Sequence, residues 1–314
     1  MFSKRAILCW LAVWLSAMLT YEYYFRIEDP GMDARVELHH MIVDGSAPYQ
    51  YRYRVLLPYM GEGLARLIQH MPYVSNRPIL KPLAYSKRAF VLAFAVLNWS
   101  ALVILFWSLG ELLWRLTKYE MAPFGIALAA VMTAFTFRNH TYHPWSFWEG
   151  ASFALGLLLI HRRQYWLTVL VSLVSLLNRE TSVFLLVAFV LIELPNGPGL
   201  RIAIGSLAVW IAGWFAVHAI VGYSPSTAFL GDVFAHNLDN LGFSLLLNVL
   251  LIGIPLPLVW HGLRRSPVFL RRAALMLPPY VAMLLVIGYW LEIRYWISAL
   301  PVVVPAIACA VVDA

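Results

Sequence analysis

The chain has 314 residues, of which 61% are hydrophobic and only 12% charged, and its mean hydropathy is +0.73. A soluble chain carries roughly 25% charged residues, because its surface must be wetted. The composition therefore excludes a soluble domain and reads as an all-α polytopic membrane bundle, a single transmembrane domain over residues 1–314. The net charge of +7 does not point to nucleic acid, since the basic residues are scattered between apolar segments. Cys9 and Cys309 each sit in an apolar run, which gives neither a disulfide framework nor a CxxC zinc site.

A spanning helix needs about 20 mostly apolar residues. Ten candidate segments follow in chain order: Ala6–Tyr24, Ala89–Leu113, Met121–Phe137, Trp145–Ile160, Tyr165–Leu177, Thr181–Leu194, Ile202–Val221, Leu241–Leu263, Ala273–Leu291 and Trp296–Val312. Lys4 and Arg5 precede the first, which reads as a retained signal anchor. Positive charge in short loops orients such a bundle. With both termini in the cytoplasm, Lys4, Arg5, Arg115, Lys118, Arg162, Arg163, Arg201, Arg264, Arg265, Arg271 and Arg272 fall inside. Only Arg138, Arg179 and Arg294 then fall in short outer loops. The expected location is the plasma (bacterial inner) membrane.

Residues 25–88 form a long first outer segment. Met32–Val43 predicts a helix with Asp33, Glu37 and His40 along one stripe, at i, i+4 and i+7. That stripe can act as a general base, can hold a divalent metal ion through two hard oxygens and an imidazole, or can be a solvated helix face. Val55–Met71 predicts an amphipathic helix flat on the membrane, with Leu56, Leu64, Leu67 and Ile68 as its apolar side.

Residues 165–194 read as two short helices meeting at Asn178–Thr181 on the outer side. A single long helix would bury Asn178, Arg179 and Glu180 at mid-membrane, at about 2.5–3.5 kcal/mol or more per charge. Helices this short rise only about 20 Å, so they must pack inside the bundle or border a cavity. The acids also gather outside, among them Asp29, Asp33, Glu37, Asp44, Glu149, Glu180 and Glu292. Arg138, Arg179 and Arg294 stand where orientation disfavours them, each beside a polar or acidic neighbour. They read either as ion pairs, Arg179 with Glu149 or Glu180 and Arg294 with Glu292, or as holders of an anion, for which the guanidinium fork matches phosphate.

Four stretches carry a family resemblance: the acidic loop after the first helix with Asp33; Gly45–Tyr49 with Tyr53-Arg54-Val-Leu-Leu-Pro58-Tyr59; Leu177-Asn178-Arg179-Glu180-Thr181; and Glu292-Ile-Arg294-Tyr295-Trp296 before the last helix. On these the chain resembles the GT-C superfamily of integral-membrane glycosyltransferases that use polyprenyl-phosphate sugars. The resemblance implies a helical bundle with an outward catalytic cavity. It implies Asp33 as base or metal holder, with Asp29 and Asp44 as substitutes; Glu37 and His40 join the candidates through the helix stripe they share with Asp33. It implies donor-phosphate contacts at Arg179 and Arg294, with Arg138 and Arg54 as further candidates and Glu180 and Glu292 as nearby acids. The implied partners are a polyprenyl-phosphate-linked sugar and membrane lipids. Two other readings stay open: a transporter or flippase, for which short broken helices and intramembrane charge also speak, and a non-catalytic partner subunit, hinted at by the stripe Gly205, Ala208, Ala212, Ala216.

Overall fold

A computed structural model describes residues 3–26, 32–71, 85–136, 145–194, 197–222, 233, 235–242, 246, 249–253, 255–288 and 293–312. The described residues are helical with turns between, and contain no strand. Among the described residues, five helical segments are long and apolar enough to cross a membrane: Lys4–Tyr24, Arg88–Leu116, Leu200–Val221, Val268–Val286 and Arg294–Val312. Met121–Thr136 and Tyr165–Leu176 are shorter apolar helices. Large apolar side chains stand exposed along their outer faces, among them Trp10, Trp166, Phe215, Ile220 and Val286. Water does not tolerate such continuous apolar surface, so these features mark a membrane protein.

Helix α1 (Lys4–Tyr21) starts at Ser3, whose hydroxyl accepts from the Ala6 amide, and runs into a π turn, Glu22–Arg26. Three helices follow before the next long one: α2 (Met32–Val43), α3 (Tyr49–Arg52) and α4 (Leu56–Gln69). Helix α5 (Tyr85–Leu116) is the 32-residue mast of the molecule, and α1, α4, α6 (Met121–Thr136) and α7 (Trp145–His161) pack around it. Its buried positions turn through every face, including Ala101, Leu102, Leu105, Phe106, Leu109 and Leu112, which is the pattern of a helix hydrophobic all round.

Helices α8 (Tyr165–Leu176) and α9 (Val183–Glu193) are two separate short helices, joined through a single 3₁₀ turn at Glu180–Ser182. Helix α10 (Leu200–Val221) rests on α8 and α9 through Ala203, Ser206 and Trp210. Gly205, Ala208, Ala212 and Ala216 lie on its exposed side. Helices α11 (Leu256–Arg265), α12 (Val268–Ala274), α13 (Leu277–Ile287) and α14 (Leu300–Val312) complete the bundle. Gly262 lets α11 touch α14: a Cβ there would meet the Ala306 carbonyl oxygen at 1.7 Å.

Three boundaries differ from the sequence expectation. Leu241–Leu263 is not one helix: a π turn at Val249–Gly253 precedes a new helix whose first turn carries Pro257. A proline lacks the N–H that a continuing helix needs, and it is tolerated only in a first turn. Ala273–Leu291 is likewise interrupted at Leu275–Met276, just before Pro278 and Pro279. The last helix begins as a 3₁₀ segment, Ile293–Ala299, three residues ahead of the expected start. In α4 the buried face is Leu57, Gly61, Ala65 and Ile68, while Leu67 is exposed. The helix is rotated from the expected apolar side because Gly61 admits the Phe94 ring of α5.

Candidate functional site: an arginine cluster at one end of the bundle

Four chain segments meet at the N-terminal end of α7. The connection between α8 and α9 is tied down at several residues. The Leu177 carbonyl accepts from the Leu56 amide at 3.0 Å, and the Asn178 side-chain amide donates to the Trp145 carbonyl at 3.0 Å. The Thr181 hydroxyl donates to Glu149 Oε1, and the Trp210 indole N–H donates to Ser182 Oγ at 3.0 Å. Arg179 Nη1 donates to Glu149 Oε2 at 2.6 Å, with the two side chains 6% and 2% exposed. A buried carboxylate needs a countercharge and filled lone pairs, and Arg179 with Thr181 supplies both. Arg179 is therefore not the unpaired guanidinium that its outer-loop position suggests. One edge of it is committed to Glu149.

The other two arginines of the cluster are held on aromatic faces. Arg54 stacks over Trp145 at 4.7 Å and Tyr51 at 5.1 Å. Tyr295 carries Arg179 at 4.8 Å and Arg294 at 5.2 Å. The Tyr280 hydroxyl of α13 donates to the Tyr295 carbonyl at 2.7 Å, which anchors this strap. Gly150 permits the arrangement: a Cβ there would sit 2.4 Å from Ile297 Cγ2 and 3.2 Å from the Ile297 carbonyl oxygen. The segment bearing Arg294 and Tyr295 can thus lie against α7 one residue from Glu149.

The cluster is electrostatically lopsided. Glu149 answers Arg179, and Glu180 attracts Arg54 from nearby, yet Arg54 is repelled by both Arg179 and Arg294. Burial first, and then the Arg179 charge, push the Arg54 guanidinium down from its ordinary value. Arg54 Nε and Nη1 are buried without a hydrogen-bond partner. A guanidinium held that way is poised to donate to an anion that enters beside it.

An apolar cavity of about 180 Å³ opens at the same strap, lined by Phe135, Thr136, Leu256, Leu277, Trp296, Ile297 and Leu300 among others. Trp296 and Ile297, two of its lining residues, follow directly on Tyr295 in the chain.

The sequence-predicted residues separate into groups. Arg54, Arg179 and Arg294 come together, with Glu180 beside them. Glu37, His40 and Asp44 stand exposed on and after α2, where the His40 ring meets the edge of the His39 ring. The expected stripe thus has two members at the surface, and Asp33 belongs to the first turn of α2 with its side chain outside the described residues. Arg138, Asp29 and Glu292 lie outside the described residues, as does Glu28, which with Asp29 makes an adjacent acidic pair. No group of three His, Cys, Asp or Glu that could hold a metal occurs among the described residues.

The sequence offered Glu149 or Glu180 as the acid that pairs with Arg179, and the structure selects Glu149, 30 residues away. What the sequence did not signal is the role of Tyr51, Trp145 and Tyr295 as platforms. The buried pair of His39 with Glu62 was missed too, at 3.1 Å between α2 and α4. Burial is the main cause that holds His39 below the ordinary imidazole value, against the upward pull of Glu62. Hydrogen bonds from Arg66 and His39 hold Glu62 below the ordinary carboxylate range. No protein-family model, no curated protein and no solved structure matches this chain.

Proposed function

We propose that this protein is a membrane glycosyltransferase that moves a sugar from a polyprenyl-phosphate donor to an acceptor on the extracytoplasmic face. The observation that carries the reading is the convergence of Arg54, Arg179 and Arg294 on the rings of Trp145, Tyr51 and Tyr295, with Arg54 Nε and Nη1 buried and without a hydrogen-bond partner among the described residues. A lipid-phosphate leaving group develops negative charge in the transition state, and preorganised cations stabilise that charge without a general acid. Glu149 and Thr181 fix Arg179 in place, while Arg54 and Arg294 contribute the charge that a phosphate meets. The apolar cavity beside Trp296 and Ile297 suits the start of a lipid chain.

An acceptor hydroxyl must lose its proton as it attacks the anomeric carbon, and a carboxylate within hydrogen-bond reach can take it. Asp33 in the first turn of α2 is the candidate, with Asp29 and Asp44 as alternates. In this reading about ten segments cross the membrane, some as short or broken pairs. The termini are cytoplasmic and the arginine cluster faces outward.

Two measurements test the proposal. Arg54→Ala should weaken binding of a polyprenyl phosphate by at least ~30-fold, the effect of removing one partner of a desolvated charged pair. The fold should survive, because Arg54 carries no ion pair among the described residues. Asp33→Asn should abolish transfer in reconstituted vesicles while leaving that binding intact. Normal lipid-phosphate binding by Arg54→Ala would sink the donor-site assignment. The sidedness is checked by labelling cysteines placed at Ser46 and Arg265, both exposed, with an impermeant reagent. Labelling of 265 but not 46 in intact cells would invert it.

A further inference from the structure

A second group of charges occupies the other end of α7. Glu111, in the last turns of α5, is 2% exposed and faces three arginines. Arg162 Nη2 donates to its Oε2 at 2.7 Å, Arg5 Nε donates to its Oε1 at 3.1 Å, and Arg115 Nε lies 3.5 Å from Oε2. One carboxylate cannot answer three guanidiniums. Arg162 Nε is buried without a hydrogen-bond partner, so Glu111 alone leaves even its nearest arginine incompletely satisfied. The carbonyl ends of α5 and α7 take up part of the positive excess through their dipoles, and the N-terminus of α1 adds to it.

These residues border a cavity rather than a closed seam. Its volume is about 430 Å³, and Arg5, Trp107, Glu111, Arg115, Arg162 and Gln164 line it. Trp107 forms a wall under the Arg162 guanidinium at 5.9 Å. The loop that brings Arg162 and Gln164 to the rim carries local strain. Arg163 has φ 57°, a left-handed conformation that glycine usually fills at a helix C-terminus. The turn closes through Arg163 N–H to the Ile160 carbonyl and Gln164 N–H to the Leu159 carbonyl. Strained backbone of this kind persists where the surroundings enforce it, and it gathers at binding sites.

We propose that this cavity binds a phosphate group, with Arg5, Arg115 and Arg162 as donors and Glu111 as the fixed acid that spaces them. The ligand chemistry is that of an anionic phosphodiester headgroup or of free phosphate. The site is independent of the glycosyltransferase reading and sits at the opposite end of the bundle from Arg54.

The test uses the full chain carrying Arg54→Gln, which removes the competing cation at the other cluster. Nanodiscs of phosphatidylcholine with increasing phosphatidylglycerol are the first arm, and retained lipid is counted by native mass spectrometry. Inorganic phosphate added in detergent is the second arm, read by thermal unfolding. Phosphatidylglycerol should be retained over phosphatidylcholine. Arg115→Gln should weaken retention about fivefold, the effect of one arginine near an anionic headgroup. Glu111→Gln should strengthen retention, a change that a purely structural acid would not produce. Stabilisation by inorganic phosphate that also displaces the lipid would assign the site to free phosphate, and retention of lipid without any phosphate effect would assign it to the headgroup. Equal retention of the two lipids with no phosphate effect, or retention unchanged in folded Arg115→Gln and Glu111→Gln, would overturn the proposal.

Discussion

The two ends of α7 solve the same problem differently. Each buries one glutamate among arginines: Glu149 near the N-terminus of the helix and Glu111, from α5, beside its C-terminus. The 13 residues from Glu149 to Arg162 correspond to about 20 Å of helix, so the two groups are well separated. Glu149 and Arg179 form a dry, closed pair with side chains 2% and 6% exposed, and the remaining cations of that cluster are parked on tryptophan and tyrosine rings. Glu111 is shared by arginines whose side chains are 64%, 35% and 25% exposed. The comparison teaches that burial of the acid is not enough to predict what an ion pair does. The exposure of its cations decides whether the pair locks the fold or stays open to a ligand.

That contrast can be broken at its strong side first. Glu149→Ala should lower stability by about 3–5 kcal/mol, because Arg179 would remain as a buried charge with no counterion. Thermal unfolding in detergent measures it. Glu149→Ala as stable as the parent chain would show that Arg179 finds another partner or water.

Gly150→Ala is expected to cost less, about 1–3 kcal/mol, as side chain and backbone of Ile297 are forced away from α7. It should also shift the Arg294–Tyr295 strap, which a change in tyrosine and tryptophan fluorescence would report. The equivalent change at the open end, Glu111→Ala, should cost about 1 kcal/mol or less. Its arginines are exposed enough to be rehydrated, and exposed pairs contribute little. A loss as large as that of Glu149→Ala would erase the distinction between the two ends.

The smallest effect is a pH dependence in the segment between α1 and α5, which carries Arg54 to the cluster. His39 and Glu62 both have lowered values in the folded protein. For each, the unfolded chain binds protons more readily, so stability is present at higher pH and is lost on acidification. The loss begins near the ordinary imidazole value of 6.5 and continues below the ordinary carboxylate value of 4.5. Hydrogen exchange of α2 and α4 should quicken over that range while α5 and α7 stay protected. His39→Gln should remove the upper part of the dependence and leave the lower part.

Much of the framework was legible in the residues themselves. Met32–Val43 matches its expected helix, and the Asp44–Gly45 turn closes its C-terminal end. The division of residues 165–194 into α8 and α9 follows from the cost of burying Asn178, Arg179 and Glu180 in one continuous helix. The broken segments after residue 240 were misread as whole helices because mean apolarity outweighed Pro257, Pro278 and Pro279. A proline inside an apolar run still removes a backbone donor, whatever the solvent around it.

The site was legible only in part. Arg54, Arg179 and Arg294 are conspicuous because each is a charge next to an apolar helix. Their convergence, however, depends on contacts between segments far apart in the chain. Leu56 pairs with Leu177, Asn178 with Trp145, and Glu149 with both Arg179 and Thr181. No local pattern specifies such pairs.

The sequence by itself determined that this protein is helical and apolar, where its charges interrupt the helices, and which arginines stand out. Those properties arise from local hydrogen bonding and from transfer free energy, which each segment carries with it. The tertiary structure alone decided that Arg179 is bound to Glu149 while Arg54 Nε and Nη1 have no hydrogen-bond partner among the described residues. It also decided that Glu111 is shared by three guanidiniums beside an open cavity. The physical reason is that charge pairing and desolvation depend on distance and burial in space, and these exist only once the helices have packed.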